Sequence, residues 1–248
     1  MQIKHWYSIV VSPVPILSCE HLTKSFQHAL VPVRHIQERI ILPHRRKRVW
    51  VTKAVDDVSL TLQRGEWIGI YGPNGCGKTT LLRMLAGLLP PDAGAVQSHA
   101  DLSCFFELSV GFHEERTAIE NVRMHAMLQG VARKDIDAIL ESVRAFAGIA
   151  DHWDLPLKCY STGMRLRLGF AVTMASPADI LLLDEILAVG DVDFQKKCRM
   201  RLMDLKVSGR SALVVSHSLA DLEAMCDRVL FMERGRIVCE RGASVPLS

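Results

Sequence analysis

A glycine-rich run at residues 72–79 has the residue types and the spacing of a phosphate-binding loop. It reads GPNGCGKT, fits the pattern GxxxxGK[ST], and lies between an apolar run and a helical pattern. Glycines let backbone amides converge on phosphate oxygens, and the N-terminus of the following helix favours an anion. The residues expected to surround the phosphates are Gly72, Pro73, Asn74, Gly75, Cys76, Gly77, Lys78, Thr79 and Thr80. The flanking strand and helix disfavour the alternative, a plain glycine-rich turn.

Within this loop two side chains have specific chemistry. Lys78 is expected to reach the β- and γ-phosphates of a nucleotide and to act in catalysis, and the Thr79 hydroxyl to bind Mg²⁺. The sequence therefore predicts a nucleoside triphosphate as ligand.

Two carboxylates follow an apolar run in the second half of the chain. Residues 180–183 predict a buried strand, and Asp184 and Glu185 come directly after it. A parallel strand that ends here places both carboxylates at the sheet edge beside the phosphate loop. We expect Asp184 to hold Mg²⁺ through water, and Glu185 to orient and deprotonate an attacking water. A strand that ends in acidic residues is common, so this interpretation depends on the phosphate loop.

A histidine follows the next predicted strand. His217 comes just after residues 212–215, one strand–helix unit beyond the carboxylates. The imidazole should therefore lie at the same sheet edge, where it could contact the γ-phosphate and help to hold the water. A lone histidine is usually structural, so position, and not residue type, favours a functional role.

The run CYSTGM at residues 159–164 opens a helix predicted to reach about Met174. Ser161 can cap this helix, and Gly163 lets the backbone approach a ligand. Amides at a helix N-terminus form an anion site. Because the chain already has a phosphate loop, we expect Ser161, Thr162 and Gly163 to contact a nucleotide held by a second copy.

The elements that position these groups can be predicted from the pattern of apolar residues. Strands are predicted over residues 16–22, 58–62, 67–71, 180–183 and 212–215, with a hairpin over 228–240 that turns at Arg234-Gly235. The residues 24–26 are expected to end the first strand, and an irregular stretch to follow as far as Trp50. Helices are predicted after the phosphate loop (80–88), after a capping box at 117–120, and over 136–146.

Composition places the chain among soluble globular proteins. Of its 248 residues 49% are hydrophobic and 23% charged, and the net charge of +3 is too small to indicate a nucleic-acid partner. The seven cysteines include no CxxC pair, and no apolar run is as long as a membrane span. The basic run at 43–48 is either a solvated loop or a contact for anionic headgroups or an anionic substrate.

Together these motifs resemble the ATPase subunits of ABC transporters over nearly the whole chain. Residues 160–164 (YSTGM) resemble the LSGGQ signature of that family. The resemblance implies that Glu185 is the catalytic glutamate, His217 the switch histidine and Asp191 the D-loop aspartate. It also implies that Phe26 stacks on adenine. ATP and Mg²⁺ are the implied cofactors, and the implied assembly is a head-to-tail homodimer with ATP between Lys78 of one subunit and Ser161 of the other.

Two departures from the family pattern point to one branch. The expected glutamine is missing, with Glu107 as its stand-in, and Thr162 and Met164 differ from LSGGQ. The runs DLPLKCYSTGM (154–164), DEILAVGDVDFQKKC (184–198) and ELSVGFHEE (107–115), with the long insertion between Phe26 and Trp50, are similar to the ATPase subunits of bacterial polysaccharide exporters.

This resemblance implies an α/β phosphate-loop NTPase fold with a β-rich N-terminal part. We expect a lead-in over residues 1–15 and an ABC ATPase domain over 16–248, with a helical subdomain over about 105–175. Some members of the branch carry a carbohydrate-binding domain at the C-terminus, which we do not expect before Ser248.

The implied function is ATP hydrolysis at the cytoplasmic face of the bacterial inner membrane by a peripheral subunit. Its implied partners are a separate transmembrane permease and a lipid-linked polysaccharide as cargo, with no nucleic acid. Two alternatives remain open. A drug or peptide exporter would usually keep LSGGQ and the glutamine, and an ABC ATPase of DNA repair or translation would usually have two cassettes or a coiled-coil insertion.

Overall fold

The computed structural model describes residues 14–29, 49–106, 111–185 and 191–242. The strands are β1 (Leu17–Ala29), β2 (Val49–Leu62), β3 (Trp67–Tyr71), β4 (Ala93–Ser98), β5 (Leu102–Phe105), β6 (Ile180–Asp184), β7 (Ser211–Val215), β8 (Arg228–Glu233) and β9 (Arg236–Gly242). The α-helices are α1 (Lys78–Leu85), α2 (Ala118–Leu128), α3 (Ile136–Ala147), α4 (Thr162–Ala175), α5 (Val192–Val207) and α6 (Leu219–Met225), and short 3-10 helices cover Arg133–Asp135, Ala150–His152 and Leu157–Cys159.

The main sheet has the order β5-β6-β7-β3-β8-β9. Its first five strands are parallel, and β9 pairs antiparallel with β8. All five residues of β6 and of β7 are buried, as expected for parallel strands covered on both faces. The carboxyl ends of β3, β6 and β7 consequently meet at one edge of the sheet.

A second, antiparallel sheet has the order β2-β1-β4. Side chains of this sheet, of α1 and of one face of the main sheet form a common core, which includes Leu17, Leu60, Leu82, Ile68 and Leu182. Helix α1 therefore lies between the two sheets, and its N-terminus is fixed at the edge where the parallel strands end.

The helices α2, α3 and α4 pack around a separate apolar cluster that contains Val122, Leu140, Val143, Trp153 and Leu168. Helix α4 also contributes Phe170 and Met174 to the core beneath the main sheet. These three helices fall within residues 105–175, but the predicted domain boundaries remain a prediction.

Several elements differ from the sequence prediction. Strand β1 does not end at residues 24–26 but runs to Ala29, because β2 begins at Val49 and pairs with it through this region. Helix α1 ends at Leu85 rather than near residue 88, since Gly87 adopts a left-handed φ of 70°. Strands β4 and β5 were not predicted. β4 is mostly exposed and has no apolar alternation.

Across the part of the chain that the structure describes, no helix combines the length and the apolar character that crossing a bilayer requires.

Candidate nucleotide site

The phosphate loop connects the end of β3 to the start of α1. Lys78 is buried, 5% exposed, and its ammonium donates to the carbonyl oxygens of Gly72 at 2.7 Å and Pro73 at 3.0 Å. Gly77 has a φ of 110°, and a Cβ there would lie 1.9 Å from the Ala54 carbonyl oxygen. The loop thus surrounds the Lys78 ammonium, and the Ala54 backbone lies too close to Gly77 for a side chain there.

A cavity of about 460 Å³ opens above this loop. The described residues that line it are Ala54, Asn74, Gly75, Gly77, Lys78, Thr79, Thr80, Glu185 and His217. The volume lies within the range of small-molecule sites, about 300–1,000 Å³. The cavity therefore joins the phosphate loop to two of the groups that sequence analysis placed at the same sheet edge.

Asp184 ends strand β6 beside the first turn of α1. The Thr79 hydroxyl donates to its Oδ2 at 2.6 Å, whereas the buried Oδ1 has no hydrogen-bond partner among the described residues. Burial raises the pKa of the Asp184 carboxyl, and the Thr79 hydrogen bond and the Lys78 charge oppose that rise only in part. An unpartnered carboxylate oxygen next to a hydroxyl fits Mg²⁺, which prefers hard oxygen ligands.

Glu185 and His217 meet at the cavity rim. The imidazole Nε2 lies 2.6 Å from Glu185 Oε1, and both side chains are about half-exposed. The Glu185 amide donates to the Val215 carbonyl oxygen at 3.0 Å, and its φ of 52° is in the left-handed region. A non-glycine residue held in this region is strained, and such strain often occurs at functional sites. The pair joins the end of β6 to the segment after β7.

Residues 160–164, which resemble the LSGGQ signature and form the signature segment, lie apart from this cavity. Ser161 caps α4, since its Oγ accepts from the Met164 amide at 3.2 Å, and both Ser161 and Thr162 are exposed. A Cβ on Gly163 would meet no nearer atom than Ser161 Oγ, at 4.0 Å. No residue of 160–164 is among the described residues that line the cavity. Crowding among the described residues therefore gives no reason for a glycine at 163.

Asp191 links the signature helix to α5. Its Oδ1 caps α5 by accepting from the Phe194 amide at 2.9 Å, and its Oδ2 pairs with Arg167 of α4. The Phe194 hydrogen bond and the Arg167 charge lower the pKa of the Asp191 carboxyl. The Arg167 guanidinium also lies 5.0 Å from the centre of the Phe194 ring.

Of the remaining predicted site residues, the structure describes Phe26 but not Glu107. Phe26 lies on β1 opposite Thr52 and is 37% exposed, but it does not line the cavity. Glu107 lies outside the described residues, as do the basic run 43–48 and most of the D-loop, 186–190.

The phosphate loop is supported from behind by a contact that was not predicted from the sequence. The turn between β8 and β9 approaches the loop, and the Gly235 amide donates to the Cys76 carbonyl oxygen at 2.9 Å. The Asp56 amide in turn donates to the Gly235 carbonyl oxygen at 2.8 Å, and Arg236 pairs with the Asp56 carboxylate at 2.7 Å. The turn was predicted from Arg234-Gly235, but no local pattern indicates what it contacts.

A sequence model of the family described as "ABC transporter" matches residues 55–188. The chain belongs to the ABC transporter family. The match covers both the phosphate loop and the Asp184–Glu185 strand end, so the family predicted from these motifs is confirmed. Proteins of this family bind nucleotide, which is the class of ligand that the phosphate loop predicts.

Relatives of this ABC ATPase include an O-antigen export system ATP-binding protein, RfbB, of Klebsiella pneumoniae. It is 36% identical over 231 residues, 90% of this chain and 92% of the relative. The ABC transporter protein AbcA of Aeromonas salmonicida is 37% identical over 91% of this chain and 72% of its own length. A teichoic acids export ATP-binding protein, TagH, of Lactiplantibacillus plantarum is 39% identical over 77% of this chain but 52% of its own length.

The fold of this ABC ATPase resembles that of solved cassettes. A dimeric structure of the ATP-binding cassette MJ0796, in a post-hydrolysis state with ADP and Pi, has a TM-score of 0.75 at 18% identity. The match covers 92% of this chain and 99% of that structure. The predicted α/β phosphate-loop fold is therefore confirmed.

Proposed function

We propose that this chain hydrolyses ATP as the nucleotide-binding subunit of a transporter that exports a lipid-linked polysaccharide. The observation that carries the hydrolytic part is the contact of Glu185 with His217, 2.6 Å apart, in the same cavity as Lys78 and Thr79. The relatives named for export of O-antigen and of teichoic acids support the polysaccharide cargo.

In this proposal the phosphate loop binds and orients the triphosphate. The hydrogen bonds from Lys78 to two loop carbonyls use two of its three N–H donors, which leaves the third for a phosphate oxygen. Thr79 and Asp184 would hold Mg²⁺, which when bound withdraws charge from the phosphate oxygens.

Glu185 orients a water molecule in line with the γ-phosphorus and accepts its proton as the water attacks. The bond between the γ-phosphorus and the bridging oxygen breaks, and ADP and phosphate leave. His217 holds the Glu185 carboxylate at the cavity rim and is within reach of a γ-phosphate in the same cavity. Most of the rate enhancement comes from positioning and from charge stabilisation.

The signature segment acts on a second nucleotide. The exposed Ser161 and Thr162, the open space at Gly163 and the α4 N-terminus suit a phosphate group presented by another copy of the chain. The functional unit is then a head-to-tail homodimer. It works with a separate transmembrane permease, at the cytoplasmic face of the inner membrane.

Replacing the proposed base tests this function. Glu185→Gln keeps the shape and the hydrogen bonding of the side chain but removes its basicity, so we expect ATP turnover to fall by about 10²–10⁴-fold while ATP still binds. Turnover is measured by phosphate release and binding by equilibrium dialysis. In the cells that make the polymer, the same variant should reduce surface polysaccharide and accumulate lipid-linked polymer inside.

Glu141→Gln is the matched control, because Glu141 is an exposed glutamate on α3, outside the cavity lining. Normal turnover by Glu185→Gln would contradict the role of this carboxylate. Altered drug or peptide resistance with unchanged surface polysaccharide would favour the rival exporter class.

A further inference from the structure

Two exposed aromatic side chains lie on one face of the β1–β2 ladder. Phe26 is opposite Thr52, and position 28 is opposite Trp50, in a stretch of the ladder without a register shift. Phe26 and Trp50 are therefore diagonal neighbours on the same face, within reach of each other's rings. They are 37% and 65% exposed.

The exposure of Trp50 is unusual for this chain. The other tryptophans that the structure describes, Trp67 and Trp153, are buried in apolar cores. A large apolar ring left in water on a sheet face, next to a second exposed ring, indicates a ligand surface more than a packing role.

Strand β2 connects the two rings to the nucleotide cavity, across a register shift of the ladder between Lys53 and Val55. Strand β2 runs from Trp50 to Ala54, which lines the cavity and whose carbonyl oxygen lies against Gly77 of the phosphate loop. Four residues of extended strand span about 13 Å. A nucleoside triphosphate has a comparable length, so a base whose phosphates lie in the loop can reach the two rings.

We propose that Trp50 is a second aromatic contact for the nucleotide base, acting together with Phe26. The site takes a purine nucleoside triphosphate, whose base presents a π-face to the indole while the phosphates lie in the loop. This inference rests on the proposed function, because it assumes that the cavity binds ATP. Trp50 would then strengthen nucleotide binding through its contact with the base and not through the phosphates.

The test separates the base from the phosphates by using ATP and inorganic tripolyphosphate as ligands. Trp50→Ala should weaken ATP binding about tenfold, as expected for the loss of one stacking partner, and leave tripolyphosphate binding unchanged. Val51→Ala is the matched control, since Val51 is 59% exposed at the next position of β2 and points to the opposite face. It should change neither affinity.

Tryptophan fluorescence gives a second readout that needs no change at Trp50. Trp6 lies outside the described residues and is replaced by phenylalanine, which leaves Trp50 and the two buried tryptophans. In this Trp6→Phe background, ATP should change the tryptophan emission and tripolyphosphate should not. Equal ATP affinity in Trp50→Ala, or a parallel loss of affinity for both ligands, would overturn the inference. A wild-type chain that binds tripolyphosphate and ATP equally would also overturn it, whereas one that binds neither would overturn the proposed function itself.

Discussion

At the scale of single residues, Asp184 is a buried carboxylate with a hydrogen-bond partner for only one of its two oxygens among the described residues. One oxygen accepts from Thr79, and the other has no hydrogen-bond partner among the described residues. Burial raises the pKa of this carboxyl, so the folded chain binds the proton more tightly than the unfolded chain does. Stability from this group is present at acid pH and is lost as the pH rises through the raised pKa. At neutral pH the charged Asp184 carboxylate thus lowers the stability of the folded chain.

Asp184→Asn should therefore stabilise the chain at neutral pH. The amide oxygen still accepts from Thr79, and the buried charge is gone, so we expect a gain of about 1 kcal/mol and a rise in Tm of about 2–4 °C. The gain should vanish at acid pH, where the aspartate is already neutral. Thermal unfolding followed by circular dichroism across this pH range measures the effect.

Asp191→Asn is the control of opposite sign. The pKa of Asp191 is lowered, first by the Phe194 amide and then by Arg167, so its charged form is favoured in the folded chain. This substitution should lower Tm at neutral pH and have less effect as the pH falls through the carboxyl range. A loss of stability in both variants would contradict the account of Asp184.

At the scale of elements, the β8–β9 turn acts as a support for the phosphate loop. Gly235 hydrogen-bonds to Cys76 on one side and to Asp56 of β2 on the other. The loop is thereby fixed between the C-terminal hairpin and the small antiparallel sheet. Support of this kind keeps loop amides in the geometry that a phosphate needs, before any ligand arrives.

Gly235→Ala should loosen this support. Gly235 has a φ of 84°, and a Cβ would lie 3.1 Å from the Ala54 carbonyl oxygen and 3.2 Å from that of Lys53. Backbone at the turn must shift to relieve this crowding, so we expect ATP binding to weaken several-fold, in addition to a stability loss of about 1 kcal/mol or more. ATP affinity and Tm are the two measurements.

Gly209→Ala provides the comparison. Its φ of 86° is nearly the same, but no atom of the neighbouring described residues lies within 4 Å of the Cβ position. It should lower stability through backbone strain alone and leave ATP affinity unchanged. Similar ATP affinities in the two variants would show that the turn does not position the loop.

How far the sequence predicts these elements depends on how local their causes are. The apolar runs of β3, β6 and β7 are dictated by burial on both faces, and the capping box of α2 is contained in Thr117 and Glu120. Strand β4 has no such pattern, because its exposed residues are held by pairing with β1. The Gly235–Cys76 bond joins segments that are distant in the chain, and no periodicity indicates it.

At the scale of the whole molecule, two groups of predicted site residues lie apart in the part of the chain that the structure describes. The phosphate loop, Glu185 and His217 share a cavity, whereas Ser161 does not line it. Motif spacing predicted each group separately, and the family resemblance supplied the dimer that would bring them together. Under the proposed function a single cassette is an incomplete enzyme, and its activity should depend on self-association.

ATPase activity of the purified chain should therefore rise faster than linearly with protein concentration. In Ser161→Ala we expect activity to fall at least tenfold at every concentration, because a phosphate contact in the partner's site is lost. Steady-state phosphate release over a wide range of protein concentrations checks both points.

Thr117→Ala controls for the loss of a helix cap. Thr117 caps α2 as Ser161 caps α4, so both variants should lose about 1 kcal/mol of stability. Only Ser161→Ala should lose activity. Activity that is linear in concentration and indifferent to Ser161 would mean that the serine is a cap and nothing more.

Helix α4 belongs to two apolar cores at once, and this has a mechanical consequence. Phe170 is fixed beneath the main sheet, while Leu168, Ala171 and Val172 are packed among the other helices. If α2 and α3 shift while Phe170 and Met174 stay packed beneath the main sheet, the N-terminal part of α4 tilts. With a rise of about 1.5 Å per residue, a tilt of about 10° moves Ser161 by about 2 Å, which is enough to break a hydrogen bond. Under the proposed function, a shift of α2 and α3 would thus move Ser161 away from the nucleotide of the second copy while leaving the phosphate loop in place.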